Sequence, residues 1–239
     1  MRHFLGLCRY VAPRMHRFRA LCRYALSRAR LAKSERSCFY GRVGKGDETR
    51  LAVLDHAVDL ARRVGLSRLT IGSLAEQAQL SKSGLFAHFR SKEALQVAVL
   101  EHARTSFEVE VARPAVRAPR GEARVRELFE LWLRWDSMPG GCPFIAASIE
   151  LDDEPGDVRD RFVRDQRDLF DMIAAVFRTG ISEGQFRPDA DPQQFAQDFY
   201  GVVLARHHTI RLLGDEQAGQ RARRAFEALL AAARSSPAS

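Results

Sequence analysis

The stretch TIGSLAEQAQLSKSGLFAHF, Thr70–Phe89, decides the reading of this chain. Ile71, Leu74 and Ala75 recur at three- and four-residue steps, and Leu85 and Phe89 lie four apart. Both patterns put apolar groups on one face of a helix. Thr70 and Ser81 each stand where a helix opens, and their side chains suit the free N–H groups there. Only Gln79 and Leu80 separate the two segments, so Thr70–Ala78 and Ser81–Phe89 have the dimensions of a helix-turn-helix.

Outward from this pair the pattern stays helical. Leu51, Leu54, Val58 and Ala61 predict a preceding helix stopped by Gly65. A helix opening at Ser91 runs to about Ala112, where Pro114 and Pro119 are expected to break it. After a Pro114–Gly121 linker come amphipathic segments at Glu122–Trp135, Pro143–Leu151, Asp157–Thr179, Pro192–Leu213 and Arg221–Ala233. No alternating run bounded by turns predicts a hairpin, so the fold class is all-α. The expected organisation is a basic N-terminal extension over 1–46, a helix-turn-helix domain over 47–112 with its motif at 70–89, and a helical domain over 120–235.

The chain has 239 residues and a net charge of +8, with 46% hydrophobic residues, ample for a buried core. Residues 1–46 hold ten Arg and two Lys against Glu35 alone, which leaves the remainder mildly acidic. An argument for nucleic-acid binding must therefore rest on a local site. The extension reads as a segment without packed structure, against two alternatives: an arm that touches DNA or anionic lipid, or a transit peptide. The longest stretch free of Asp, Glu, Lys and Arg, Ser137–Ile149, is shorter than the ~20 residues of a spanning helix. Four cysteines without a Cys-x-x-Cys suit a reducing compartment, so a cytoplasmic location without membrane partners is expected.

A recognition helix of this size fits the DNA major groove and presents its first residues to base edges. Those residues are Ser81, Lys82, Ser83 and Gly84, small and polar apart from the donor-bearing lysine. His88 and Lys92 lie one and two turns on, where phosphate oxygens run. Lys82 and Lys92 both stand at helix starts, where a cation opposes the helix dipole and needs another reason to be there. Thr70 and Phe86 complete the set of candidate DNA contacts.

Glu48-Thr49-Arg50, Leu54-Asp55, Gly65, Thr70-Ile71, Leu74-Ala75, Ala78, Ser81-Lys82, Leu85, His88-Phe89 and Ser91-Lys92-Glu93 closely resemble the DNA-binding domain of the tetracycline-repressor (TetR) family, over about residues 47–105. The resemblance implies a homodimeric bacterial transcription factor, usually a repressor, released from double-stranded operator DNA by a small molecule. It also implies that the helices after Pro114 form an effector-binding and dimerisation domain. Three positions depart from the family: Gln79 stands where glycine is frequent, Phe86-Ala87 replaces positions often held by tyrosine, and Ser83-Gly84 replaces a frequent Gly-Thr.

In the second domain the family's pocket region suggests Trp132, Trp135, Cys142, Phe144 and Phe170 as effector-lining residues, against the alternative that they are ordinary core. Cys142 is either a buried inert thiol or a redox sensor. The competing function is accordingly a helical small-molecule-binding or redox-sensing protein with little DNA activity. His207-His208 reads as a surface pair. Apolar faces of the last two long helices, around Phe195, Phe199, Val202, Leu213, Phe226 and Leu229, are expected to pair across a two-fold axis. No catalytic motif, metal-ligand spacing or cofactor-binding loop is present, so neither an enzyme nor a cofactor is expected.

Overall fold

The computed structural model describes residues 45–235 apart from Glu154. The expectation for the basic extension lies, up to residue 44, outside the described residues. Helices follow one another as α1 (Lys45–Val64), α2 (Ile71–Ala78), α3 (Lys82–His88), α4 (Lys92–Phe107), a π-helical turn at Glu108–Ala112, α5 (Arg113–Arg117), α6 (Glu122–Asp136), α7 (Pro143–Glu150), α8 (Asp157–Ser182), α9 (Pro192–Arg211) and α10 (Ala218–Ala233). The one β contact among the described residues is an isolated antiparallel bridge between Phe186 and Arg234. The all-α expectation holds.

Each short helix of the first three-helix unit is started by a side chain. Thr70 Oγ1 accepts a hydrogen bond from Ser73 N–H, and Ser73 Oγ accepts one from Thr70 N–H, a reciprocal cap at 3.0 Å each way. Ser81 accepts from Gly84 N at 3.1 Å, and Ser91 from Ala94 N at 3.0 Å. Helices of seven or eight residues are marginal alone, so packing must hold them. Leu66, Leu69, Leu74, Leu85, Phe89 and Leu95 supply it, all buried together with α1 residues Leu54 and Val58.

Gln79 closes α2 at φ 54°, ψ 39°, in the left-handed region that costs a non-glycine residue ~1–2 kcal/mol. Gln79→Gly should therefore stabilise the protein. Part of the gain is lost to the extra freedom of an unfolded glycine. A net increase of about 0.5–1 kcal/mol is expected, visible as a Tm rise of roughly 2 °C in a thermal melt. An unchanged or lower Tm would contradict the strain argument.

The expected stop at Ala112 does not occur. Arg113 N–H bonds to Glu108 O, five residues back rather than four, and the helix runs on to Arg117. The widened turn brings Pro114 into the first turn of a new register, where its missing N–H takes nothing from the ladder. The break falls instead at Ala118–Gly121.

The larger helical unit is an aromatic core. Phe129 stacks on Phe226 with centroids 3.9 Å apart, and Phe177 lies 4.0 Å from Phe195 and 4.6 Å from Phe186. Phe195, Phe199 and Phe226 are only 6, 0 and 3% exposed, so they are core of their own chain and not a face for a second one. Sequence periodicity marks a buried stripe but not whose atoms bury it. Val202 and Leu229 are half-buried and Leu213 is 65% exposed.

Ion pairs tie α6 to α10. Glu122 takes both Arg126 and Arg234 at 2.7 Å, and Glu130 takes Arg223. Hydrogen bonds from Arg234, ahead of those from Arg126, hold the Glu122 carboxyl down to about 2. A depressed carboxylate contributes stability above its unfolded value near 4.5, and that contribution is lost as pH falls towards 2. With half-exposed partners the contribution is screened to about 1 kcal/mol. Chemical denaturation at pH 7 and pH 3 should show that the acid loss is smaller by about this amount in Glu122→Gln than in the wild type. Equal losses in the two proteins would contradict it.

Candidate nucleic-acid interface

From Leu66 to Lys92 the chain carries four cations, Arg68, Lys82, Arg90 and Lys92, against the single acid Glu76. All four cations are exposed. The local excess of positive charge sits in a chain whose remaining body is mildly acidic, which is the pattern of a focused phosphate-binding surface.

Within it, α3 turns Leu85 inward, and Phe89 follows its last turn into the core. Ser81, Lys82, Ser83, Gly84, Phe86 and Ala87 are left facing out, with His88 half-buried. Phe86 is 54% exposed, an unusual state for a large apolar group on a short helix. The Lys82 stem runs past Gly72, where a Cβ would lie 4.0 Å from Lys82 Cε, at ordinary contact distance. The cap hydroxyls of Thr70 and Ser81 are already acceptors for backbone N–H groups. The Thr70 hydroxyl also donates to Ser73 Oγ at 3.1 Å, whereas the Ser81 hydroxyl keeps its proton to donate, which suits a phosphate oxygen.

Lys92 is the first residue of α4, directly after the cap Ser91, beside N–H groups that favour an anion. The Glu93 carboxyl next to it is held below its ordinary value by a bond from its own backbone N–H and then by Ser91. Arg90, between His88 and Lys92, was absent from the sequence expectations. Its signal is a cation between two helices in a segment almost free of acids.

The predicted effector residues separate in space. A groove of about 570 Å³ opens between the end of α7 and α8, lined by Ser148, Leu151, Phe162, Val163 and Phe170 with Arg159 and Arg167 at its edge. Phe170 alone of the five predicted residues lines it. Trp132, Trp135, Cys142 and Phe144 are buried in the core behind, where Phe107 makes edge contacts to Trp132, Trp135 and Phe144. Tyr200 joins the two regions, 5.1 Å from Phe170 and 6.0 Å from Trp132 between ring centroids. Burial, and then the negative charge of Asp136, pushes the Cys142 thiol up to about 11, which opposes the thiolate that redox sensing requires.

Behind the core lies a charged cluster that sequence reading missed. Asp136, fully buried, accepts from Arg206 Nη1, lies 2.5 Å from His207 Nδ1, and accepts from Cys142 N at 3.1 Å. His207 is thus a partner of a buried carboxylate and not a surface residue. Among the described residues no group of three or more His, Cys, Asp or Glu side chains is placed to hold a metal ion, and no helix is long and apolar enough to cross a membrane.

The capped pair α2–α3, with the outer face of α3 exposed, defines a helix-turn-helix protein with a helical companion domain. Residues 53–99 match the family described as bacterial regulatory proteins, tetR family, and residues 121–226 match the tetracyclin repressor-like C-terminal domain. The chain belongs to the tetR family of bacterial transcriptional regulators. Solved structures share the fold. A tetR-family transcriptional regulator from Cytophaga hutchinsonii superposes with a TM-score of 0.71 at 19% identity, covering 82% of this chain and 99% of that one. A TetR regulator from Chloroflexus aurantiacus J-10-FL gives 0.69 at 24%, covering 78% and 94%. AibR, solved in complex with isovaleryl coenzyme A and operator DNA, gives 0.62 at 22%, covering 75% and 96%. No curated protein matches the chain.

Proposed function

We propose that this chain is a ligand-responsive repressor that acts in the cytoplasm as a homodimer on a roughly palindromic operator. The observation that carries this reading is the outward face of α3, where Lys82, Ser83, Gly84 and Phe86 stand exposed on a rigid, doubly capped scaffold. In this reading Lys82 reads a base edge, Phe86 packs on a thymine methyl or sugar, and Thr70, Ser81, His88, Arg90 and Lys92 hold phosphates. Two copies related by a two-fold axis place their α3 helices about one DNA turn apart, ~34–36 Å.

With the phenylalanines of α9 and α10 committed to their own core, the dimer seam passes to the outer faces of the same helices. Gly201, Leu204, Ala205, His208 and Leu212 are exposed at helical spacing on and just after α9, as are Ala225, Ala228, Ala231 and Ala232 on α10. Small residues allow two helices to approach closely, and Leu212 at 71% exposure lacks cover in one chain. The effector site is the groove beside Phe170. The Trp132 indole N–H, buried without a hydrogen-bond partner among the described residues, and the Tyr200 hydroxyl, buried beside Ser148, would donate to a ligand that reaches past that ring.

The test is selection of duplexes from a randomised pool by the purified protein, followed by titration of the selected duplex. An inverted-repeat site, and an affinity that falls steeply as salt rises, are expected. Ala228→Arg should convert the dimer to a monomer in sedimentation and weaken operator binding by about 100-fold or more, since each half-site then binds alone. A monomeric wild type that selects no duplex at low salt would end the proposal.

A further inference from the structure

We propose that the groove between α7 and α8 takes an amphipathic anion, a small molecule with an apolar chain and a carboxylate or phosphate head, and that Arg167 and Arg164 hold the head. This rests on the reading of the groove as the effector site and names the chemistry of its ligand.

The apolar chain follows from the floor. Leu151, Phe162, Val163 and Phe170 line a groove of about 570 Å³, within the ~300–1,000 Å³ of small-molecule sites. Past Phe170 the surroundings are neutral. The Tyr200 hydroxyl is buried beside Ser148, and burial raises its proton affinity above the ordinary tyrosine value. The Trp132 indole beyond it is fully buried. An ionised group placed there would give up its water for neutral donors alone, at high cost. A charged head therefore stays at the mouth.

The sign of the head follows from the mouth. Arg167 lines both the groove and an adjoining recess of about 340 Å³, where Arg104, Arg161 and Arg164 stand with Asp165 and Asp168. The acids there are already taken. Asp165 accepts from Arg104 and Arg161, and Asp168 lies 2.8 Å from Arg104 Nη2. Asp171, one turn beyond Arg167 on α8, accepts from Gln193 Nε2 at 3.1 Å. Arg164 and Arg167, both exposed, make no ion pair or hydrogen bond among the described residues. They lie three apart on one helix, where like charges repel and an anion between them is favoured. At the opposite end of the groove Arg159 Nε donates to Asp152 O at 3.2 Å, and the Asp152 carboxylate offsets its charge. The surplus cation is thus at Arg167, four residues after Val163 and three before Phe170. A guanidinium there offers a carboxylate or phosphate its planar fork, while the chain of the ligand runs along the apolar floor.

The test is calorimetric titration of the full chain at low salt with four probes that share an octyl chain: octanoate, octyl phosphate, octanol and octyltrimethylammonium. The tighter of the two anions should bind about tenfold or more tighter than octanol, and the cation more weakly than octanol. Which anion wins assigns the head as carboxylate or phosphate. Arg167→Gln should weaken that anion about fivefold or more and change octanol less than about twofold. Val163→Trp, which fills the floor, should weaken both about tenfold. Octanol binding as tightly as both anions, a preference for the cation, equal losses of anion and octanol in Arg167→Gln, undiminished anion affinity in Val163→Trp, or no binding by any probe would overturn the proposal. Operator affinity in the presence of the bound anion is read separately by fluorescence anisotropy. If it is unchanged, the effector reading fails while the chemistry of the groove stands on the calorimetry.

Discussion

Asp136→Ala is expected to lower stability by about 3–5 kcal/mol, the largest effect of any polar substitution in the described fold. Asp136 is fully buried, and its two oxygens satisfy Arg206, His207 and the Cys142 N–H. Removing it leaves the Arg206 guanidinium buried with Ser137 Oγ, at 2.7 Å, as its remaining partner. An uncompensated buried charge costs far more than the pair itself contributes, because the guanidinium cannot regain its water. For a chain of this length the melting temperature should fall by roughly 10 °C or more. Arg206→Met in the same background should recover part of the loss, since it removes the stranded charge. A fall of less than about 1 kcal/mol would show that water reaches the cluster.

Lys82→Ala is expected to weaken binding to the selected operator by about 5- to 150-fold, equivalent to ~1–3 kcal/mol, while changing affinity for random duplex less than about threefold. The contrast follows from placement. Lys82 is the first residue of α3, exposed, with its stem running past Gly72 towards whatever α3 faces. Lys92, first in α4, is assigned to phosphate, so Lys92→Ala should weaken both duplexes alike and reduce the slope of log affinity against log salt by about one. Equal losses on both duplexes for Lys82→Ala would move that lysine to the backbone set.

The helix-turn-helix was legible because its signals are local. Thr70, Ser81 and Ser91 cap the backbone within three residues, and Ile71, Leu74 and Leu85 follow from helical spacing, so short windows of sequence contain the whole argument. At Gln79 the resemblance indicates only that glycine is frequent, and the left-handed φ of 54° is a finding of the structure. Pro114 was misjudged because proline normally ends a helix, and nothing in its neighbourhood shows that a π turn at Glu108–Ala112 would absorb it.

The chain's own order of residues settled the all-α class, the capped reader helices and the exposed cations on them, because each depends on backbone groups and neighbours a few positions away. Only the packed structure decided that Phe195, Phe199 and Phe226 serve their own core, that Asp136 gathers Arg206 and His207 from some seventy residues on, and that Glu150 grips Leu66 and Ser67. Such pairings are made by helices meeting in space, and periodicity records that a face is buried without recording what buries it.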